Sequence, residues 1–354
     1  MQWAQDNAGL LASFQDLVIE WVLNRLLRLA RVSESQCADM SPETRVKENL
    51  VDPIRLFVKN ELHKLKKIRS GGVRLIWSIS IVDQLIERIF YNEQNKLEID
   101  RWIEVPSKPG MPLNEEGFKE LYNKLKQWKR PRSSDMSGWD LSVQPWQLHL
   151  DSDVRADLQS APPSLRGLFH VQTHTMGSVV VVLSNGLMLA LELTGVMKSG
   201  RFVTSSTNSR IRAATAYLLG AREVVSMGDD CEEDSDMSAI EAEQRYGELG
   251  HAIKDWSDEF QFCSRRFGEW GCYLTSFAKV TGKYLSGEPS LEKSVQWMQD
   301  TRGNPEQTVA LVAIRGTRWD PQILLSSSYG PQIETSRYQE QAEKRSKALG
   351  PFQP

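Results

Sequence analysis

A chain of 354 residues, 40% apolar and 25% charged, can bury a large core and has room for two or three sub-structures. The net charge of −3 offers no bulk argument for nucleic acid, and four cysteines without a CxxC pair exclude a zinc-ribbon spacing and favour a reducing compartment. The longest apolar run, Val179 to Met197, is broken by Ser184-Asn185-Gly186 and by Glu192, which excludes a membrane span and reads instead as a hairpin with an Asn-Gly turn.

In chain order, residues 9–31 place Leu10, Phe14, Leu17, Val18, Trp21, Val22, Leu26 and Leu29 at helical spacing, an amphipathic helix for packing or for a membrane surface. Residues 32–50 read as a polar connection containing Pro42. From Arg55 to Arg74 there are seven Lys/Arg and one acid, Glu61. Strand-like runs at Leu56–Val58 and Val73–Ile76 bracket this basic loop, which fits either a triphosphate lining or a solvated hairpin. Helical spacing returns over 79–98. Pro106 to Gly110 is a rigid turn with one cation, and 114–129 is a helix capped by Asn114 with Glu115 and Glu116 in its first turn.

Asp135 and Asp140 cannot share a face of one continuous strand, so Gly138 marks a break, with Asp135 ending a strand and Asp140 opening a helix or turn. His170 and His174 are four apart and can share a helix face, but no Glu joins them in an HExxH pattern, so the sequence assigns them no metal. After the hairpin of 178–193, Ser199-Gly200 leads into a hydroxyl-rich helix start that puts Thr204 and Asn208 on one face. These two suit a ribose hydroxyl, a base edge or plain capping.

The segment from Glu223 to Glu243 is heavily acidic. Within it, Val224, Val225 and Met227 lead into Gly228-Asp229-Asp230, a strand, a tight turn and a return strand. Adjacent carboxylates resist ionising together unless a cation holds both, and a hard divalent ion takes oxygen ligands. Taken alone the tripeptide also describes a solvated hairpin tip. Residues 238–252 read as a helix followed by Lys254, and 260–267 as strand, turn, strand. One more helix is expected at 290–300, and the tail from Ser326 has the composition of a loose end.

In this order, the pieces resemble the signature set of viral RNA-dependent RNA polymerases. The block from Lys59 to Arg74 resembles motif F, and Ser107-Lys108-Pro109-Gly110 resembles motif G. Asp135 with Asp140 is similar to motif A, Ser199-Gly200 with Thr204 and Asn208 to motif B, and Gly228-Asp229-Asp230 to motif C. The strings SGRFVTSSTNSR, MGDDCEE and DPIRLFVKNELHK resemble the sobemovirus, polerovirus and enamovirus group of positive-strand RNA viruses.

The resemblance implies an α+β right hand of fingers, palm and thumb with an antiparallel palm sheet. It implies N-terminal and fingers residues over 1–130, palm over 131–160 and 195–274, a fingers insertion over 161–194 and a thumb over 275–354. Asp135, Asp229 and Asp230 would hold two Mg²⁺, for which Mn²⁺ can substitute. Lys254 matches a weakly defined general acid, and Asp140, Ser199, Gly200, Thr204 and Asn208 the ribose-reading set. Lys59, Lys67 and Arg74 match the triphosphate channel. His63 departs from a frequent Arg, with Lys64 beside it as a substitute.

Ser107, Lys108 and Gly110 match template contacts, and Phe262, Cys263 and Ser264 the turn that supports the primer. The implied partners are RNA template and nascent RNA, NTPs and other viral replication proteins, in a host-cytoplasm complex tethered to membranes by those proteins. The family usually makes its polymerase within a frameshifted polyprotein, so Met1 need not be the native start. A reverse transcriptase and a non-catalytic RNA-binding scaffold are the rivals. The first normally carries a bulky aromatic at the ribose gate, where this chain has Asp140 and Asn208.

Overall fold

The computed structural model describes residues 7–60, 65–69 and 71–321, with the backbone alone given for 7, 8, 10–12, 66 and 67. Its strands are β1 (Ile54–Val58), β2 (Leu75–Ser78), β3 (Pro131–Ser137), β4 (Val179–Leu183), β5 (Met188–Leu191), β6 (Val224–Met227), β7 (Asp230–Asp234), β8 (Ala252–Ser257), β9 (Gln261–Phe262), β10 (Arg265–Gly268) and β11 (Gly271–Leu274). The chain divides into two units, Met1–Cys272 and Tyr273–Pro354.

The first unit holds two four-stranded sheets. One has the order β6-β7-β3-β8 and is antiparallel throughout. Its central strand β7 is buried on both faces although it carries Glu232, Glu233 and Asp234. Helices cover it, with Thr204–Leu218 packed on β6 and β7 and Ala239–Glu248 packed on β8. Between them lie Met136, Trp139, Leu148, Met197, Ile211 and Tyr246. Each large apolar side chain fully withdrawn from water there contributes about 1.5–3 kcal/mol.

The second sheet has the order β2-β1-β4-β5. β1 and β2 are antiparallel, as the flanks of the basic loop suggested, and the helix Leu65–Arg69 sits between them in sequence. The hairpin β4–β5 turns at Gly186, whose φ of +84° a residue with a side chain resists. What joins the two hairpins is a parallel pairing of β1 with β4, with Leu56 beside Leu183. The amphipathic N-terminal helix runs Asn7–Leu29 and buries Val18, Val22 and Leu29 against Ile86, Phe90 and Phe169.

The stretch read as a polar connection is helical in part, a correction to the sequence reading. Ser33 caps Glu34–Asp39 in a reciprocal capping box with Gln36, and Ser41 caps Pro42–Lys47 with Pro42 at its first position. Pro42 is thus a helix starter. The second unit contains the helices Phe277–Ser286, Leu291–Asp300 and Glu306–Ile314 around Tyr284, Trp297 and Ile314. The rings of Tyr284 and Trp297 stack with centroids 5.1 Å apart. The tail from Ser326 lies outside the described residues.

Candidate active site

The acidic turn is held from three directions. Met227 pairs with Asp230 across the β6–β7 hairpin, leaving Gly228 and Asp229 as its tip, with Gly228 at φ +67° in the left-handed region. The Gly228 N–H donates to Ser209 Oγ at 2.9 Å, and Ser226 Oγ donates to the Ser209 carbonyl at 2.6 Å. The loop carrying Ser107 adds to β6 as a parallel bridge, with Ser226 N donating to Pro106 O and Lys108 N to Ser226 O. A hairpin tip clamped this way cannot sway as a solvated turn does.

β3 lies beside β7 with Ser134 opposite Cys231. One further step in that register sets Asp135 against Asp230, and antiparallel partners sit about 4.5–5.5 Å apart at Cα. The charges respond accordingly. Burial, then the Asp135 charge, raise the Asp229 carboxyl above its ordinary range, against the pull of Lys254 and Arg74. Asp230 is pushed up to about 7 by burial and then by Asp229 and Asp135. Lys254, on β8, forms an ion pair with Asp135, and that contact raises its own proton affinity. Residues almost a hundred positions apart therefore meet as one acidic centre.

Gly138, at φ +64°, breaks the strand after Asp135, and Asp140 falls in the short helix Trp139–Ser142. Asn208 Nδ2 donates to Asp140 Oδ1 at 2.7 Å, while Trp139 Nε1 donates to Asn208 Oδ1 at 3.2 Å, which fixes the amide's orientation. Burial raises the Asp140 carboxyl, the Asn208 hydrogen bond lowers it, Asp229 raises it and Arg74 lowers it. Asp140, Asn208, Asp229 and Arg74 thus share one neighbourhood. Thr204 opens its helix with its hydroxyl on the Arg201 and Lys198 carbonyls, at 2.9 and 3.3 Å. Gly200 lies so close to β2 that an added Cβ would overlap the Trp77 carbonyl oxygen, while the neighbouring Ser199 is exposed.

Other predicted residues are placed differently. Lys108 is fully buried, its ammonium held by the carbonyls of Trp102, at 2.6 Å, and Val105. Burial and then the Lys124 charge lower it to about 7. It secures the loop from within, where the resemblance implies a template contact. Gly110, at φ +96°, packs against Ile99. Phe262 is buried with Phe118 and Phe267. Cys263 and Ser264 take positive φ in the β9–β10 turn, and Cys263 Sγ lies 3.4 Å from Met227 Sδ at the base of the acidic hairpin. Lys59 donates its backbone N–H to Arg74 O at 2.8 Å, closing the β1–β2 ladder. His63 and Lys64 lie outside the described residues, as does the side chain of Lys67.

A family model described as viral RNA-directed RNA-polymerase matches residues 1–125 and 126–297. The chain belongs to the viral RNA-directed RNA polymerase family. It is 39% identical over 297 residues to the replicase polyprotein P2AB of southern bean mosaic virus, covering 80% of this chain and 30% of that protein. It is 32% identical over 351 residues to the RNA-directed RNA polymerase of mushroom bacilliform virus, covering 91% of this chain and 82% of that one. The chain spans about 30% of the length of the southern bean mosaic virus polyprotein. The fold of this viral polymerase family member is also similar to the crystal structure of the RNA-dependent RNA polymerase of a human picorbirnavirus, with a TM-score of 0.59 at 14% identity over 82% of this chain and 60% of that one. The fold is thus the α+β polymerase right hand, and its antiparallel palm sheet carries the Gly-Asp-Asp hairpin.

Two residues that hold this acidic centre carry no sequence signature of their own. Ser209 follows the predicted Asn208 in a hydroxyl-rich run that gives it no mark of its own, yet both its side chain and its carbonyl hold the Gly-Asp-Asp hairpin. Arg212, one turn further along, is fully buried between Ser134 and Tyr246 and draws the Asp230 carboxyl down. The i, i+4 step from Asn208 to Arg212 was the available signal.

Proposed function

We propose that this chain extends RNA on an RNA template, transferring nucleotides from NTPs to the 3′-hydroxyl of a growing strand, as the polymerase of a positive-strand RNA virus. One observation carries the reading. The Asp135 charge raises the proton affinity of Asp229, and Asp135 and Asp229 together raise that of Asp230, at the same place where Asp140 is bound to Asn208.

An all-oxygen donor set that repels itself fits Mg²⁺, or Mn²⁺ in its place, and Asp135, Asp229 and Asp230 would hold two such ions. When bound, the ions stabilise charge on the attacking and leaving oxygens of an in-line displacement. The protein's own groups do the rest. Asp140 and Asn208, locked to each other and to Trp139, offer a fixed carboxylate oxygen and amide to a ribose 2′-hydroxyl. A sugar lacking that hydroxyl leaves them unpaired, which costs about 1–3 kcal/mol. Lys254 holds its proton firmly beside Asp135 and can deliver it to departing pyrophosphate. Arg74 and Lys59, at the mouth of the β1–β2 hairpin, suit the triphosphate.

Ser264, exposed in the β9–β10 turn, suits the primer end, whereas Ser107, on the loop bridged to β6, is buried and positions that loop rather than meeting the template itself. Among the described residues no helix is long and apolar enough to cross a membrane. The replicase-polyprotein name of the southern bean mosaic virus relative supports the further reading that other viral replication proteins accompany this chain; the reading also places that complex in the host cytoplasm, tethered to membranes by those proteins.

The test uses purified protein with a homopolymer RNA template, Mg²⁺ and labelled NTP or dNTP. We expect NTP incorporation, lowered roughly 1,000-fold or more by Asp229→Ala, since several kcal/mol of charge stabilisation is removed. Incorporation of dNTP alone would mean a reverse transcriptase. No incorporation under any primer condition would mean an RNA-binding scaffold.

A further inference from the structure

Away from the acidic centre, a second group of ligating side chains gathers among the described residues, and the polymerase chemistry makes no use of it. His149 stands on the helix Pro145–Leu158, His170 and His174 stand one turn apart on Pro163–Gly177, and Glu34 is the first residue of Glu34–Asp39. One ligand atom from each of Glu34, His149 and His174 lies within 4.8 Å of the other two. His174 Nε2 is 3.6 Å from Glu34 Oε1, and the rings of His149 and His174 are 4.6 Å apart at their centroids. A tetrahedral ion with bonds of about 2.0–2.2 Å sets its ligand atoms about 3.4 Å apart. The Glu34–His174 edge already has that length, and small side-chain rotations supply the rest.

The third imidazole has a different place. His170 Nε2 lies 3.0 Å from Asp153 Oδ1, and His170 Nδ1 lies 3.0 Å from His149 Nδ1. With neutral rings the protons have a consistent arrangement. His170 Nε2–H donates to Asp153, His170 Nδ1 accepts from His149 Nδ1–H, and the lone pair of His149 is left on Nε2. A metal-bound histidine typically has its other ring nitrogen engaged in this manner. Burial, then the neighbouring imidazole charges, lower the proton affinity of His149, and burial lowers that of His174, which favours the neutral rings a metal needs.

We propose that Glu34, His149 and His174 bind one Zn²⁺ ion, with His170 and Asp153 as positioning residues for His149. Two imidazoles and one carboxylate are a donor set for zinc, whereas Mg²⁺ and Ca²⁺ prefer oxygen alone. The ion would tie the short helix Glu34–Asp39 to two helices that follow it by more than a hundred residues. A staple of that span restricts the unfolded chain and stabilises the fold.

The experiment takes the full chain stripped with a chelator and titrates Zn²⁺ against a chromophoric competitor in excess Mg²⁺, which keeps the acidic centre occupied. Co²⁺ replacement reports the coordination. We expect one Zn²⁺ per chain, the strong visible absorption of four-coordinate Co²⁺, and a Tm that rises with zinc. His149→Ala and His174→Ala should weaken binding by about 100-fold or more, and Asp153→Asn by about 10-fold through the orientation of His149. Glu34 is half exposed, so Glu34→Gln keeps the fold and should lose the zinc-dependent Tm rise even if a histidine variant fails to fold. Wild-type protein that takes up no zinc in excess Mg²⁺ would overturn the assignment, as would a Glu34→Gln chain that binds and melts like wild type.

Discussion

The helix Thr204–Leu218 serves two groups of buried acids that behave in opposite ways. Through Asn208 and Ser209 it holds the centre of Asp140, Asp229 and Asp230, whose carboxyls are all raised by burial, with like charges adding to it. Through Thr207 and Arg210 it holds Asp151, which is buried more deeply still. There Arg155, at 2.8 Å, and Arg210 overcome the effect of burial and bring the carboxyl far below its usual range. Arg155 reaches on to Ser206 Oγ at 2.8 Å, and Arg210 to Glu98. The Asp151 group carries its own cations and is complete. The other concentrates anions beside Lys254 and Arg74 without neutralising them. Strain of this kind is stored where a charged ligand will relieve it.

The contrast can be broken by mutation. Asp151→Ala leaves two buried guanidinium groups facing each other and should cost about 3–5 kcal/mol in urea unfolding. Asp230→Asn, without divalent ions and near pH 8, should cost nothing and can stabilise by on the order of 1 kcal/mol or more, because the ionised carboxylate is the strained form. The sign follows from proton binding. With a folded pKa of about 7 for Asp230, the folded state holds more protons than the unfolded one between about pH 4 and 7, so its contribution declines as pH rises through that window. Equal destabilisation by the two substitutions would erase the distinction.

His251 sharpens the comparison as a buried ionisable group kept neutral. Its Nδ1 lies 2.9 Å from Ser142 Oγ, its Nε2 lies 2.9 Å from Gln147 Nε2, and its ring lies against Trp139. Burial and then the Arg212 charge lower it to about 4. The unfolded state therefore binds more protons between about pH 6.5 and 4, and stability worth about 3 kcal/mol is lost as pH falls across that range. His251→Gln should flatten this acid limb relative to wild type, measured as urea midpoints near pH 7 and 4.5. An unchanged slope would place the titration elsewhere. The smallest effect is expected at Asn208→Ala, which should cut NTP-over-dNTP preference about 10-fold, through the loss of one charge-assisted hydrogen bond, and slow NTP turnover less. Equal losses for both substrates would remove Asn208 from ribose recognition.

Much of this architecture was legible residue by residue. The Asn114 cap, the break at Gly138, the turn at Gly186 and the hairpin at Gly228 all depend on neighbours within a few positions, where spacing and turn chemistry act directly. The order of the motifs identified the family, and with it the meeting of Asp135, Asp140, Asn208, Asp229 and Asp230. Other features had no local signature. The burial of Lys108 is one, because a sequence does not say which carbonyls will surround an ammonium. The parallel pairing of β1 with β4, the two arginines around Asp151, and the approach of Glu34 and His149 to His174 all join segments far apart in the chain.

By itself, then, the sequence determined many of the elements, caps and turns, though not the two short helices between Glu34 and Lys47, together with the chemistry available to the palm. Tertiary structure alone decided which charges find partners and which are left facing one another. The physical reason is that a side chain's charge state depends on everything packed within a few ångströms of it, and most of those atoms come from other parts of the chain.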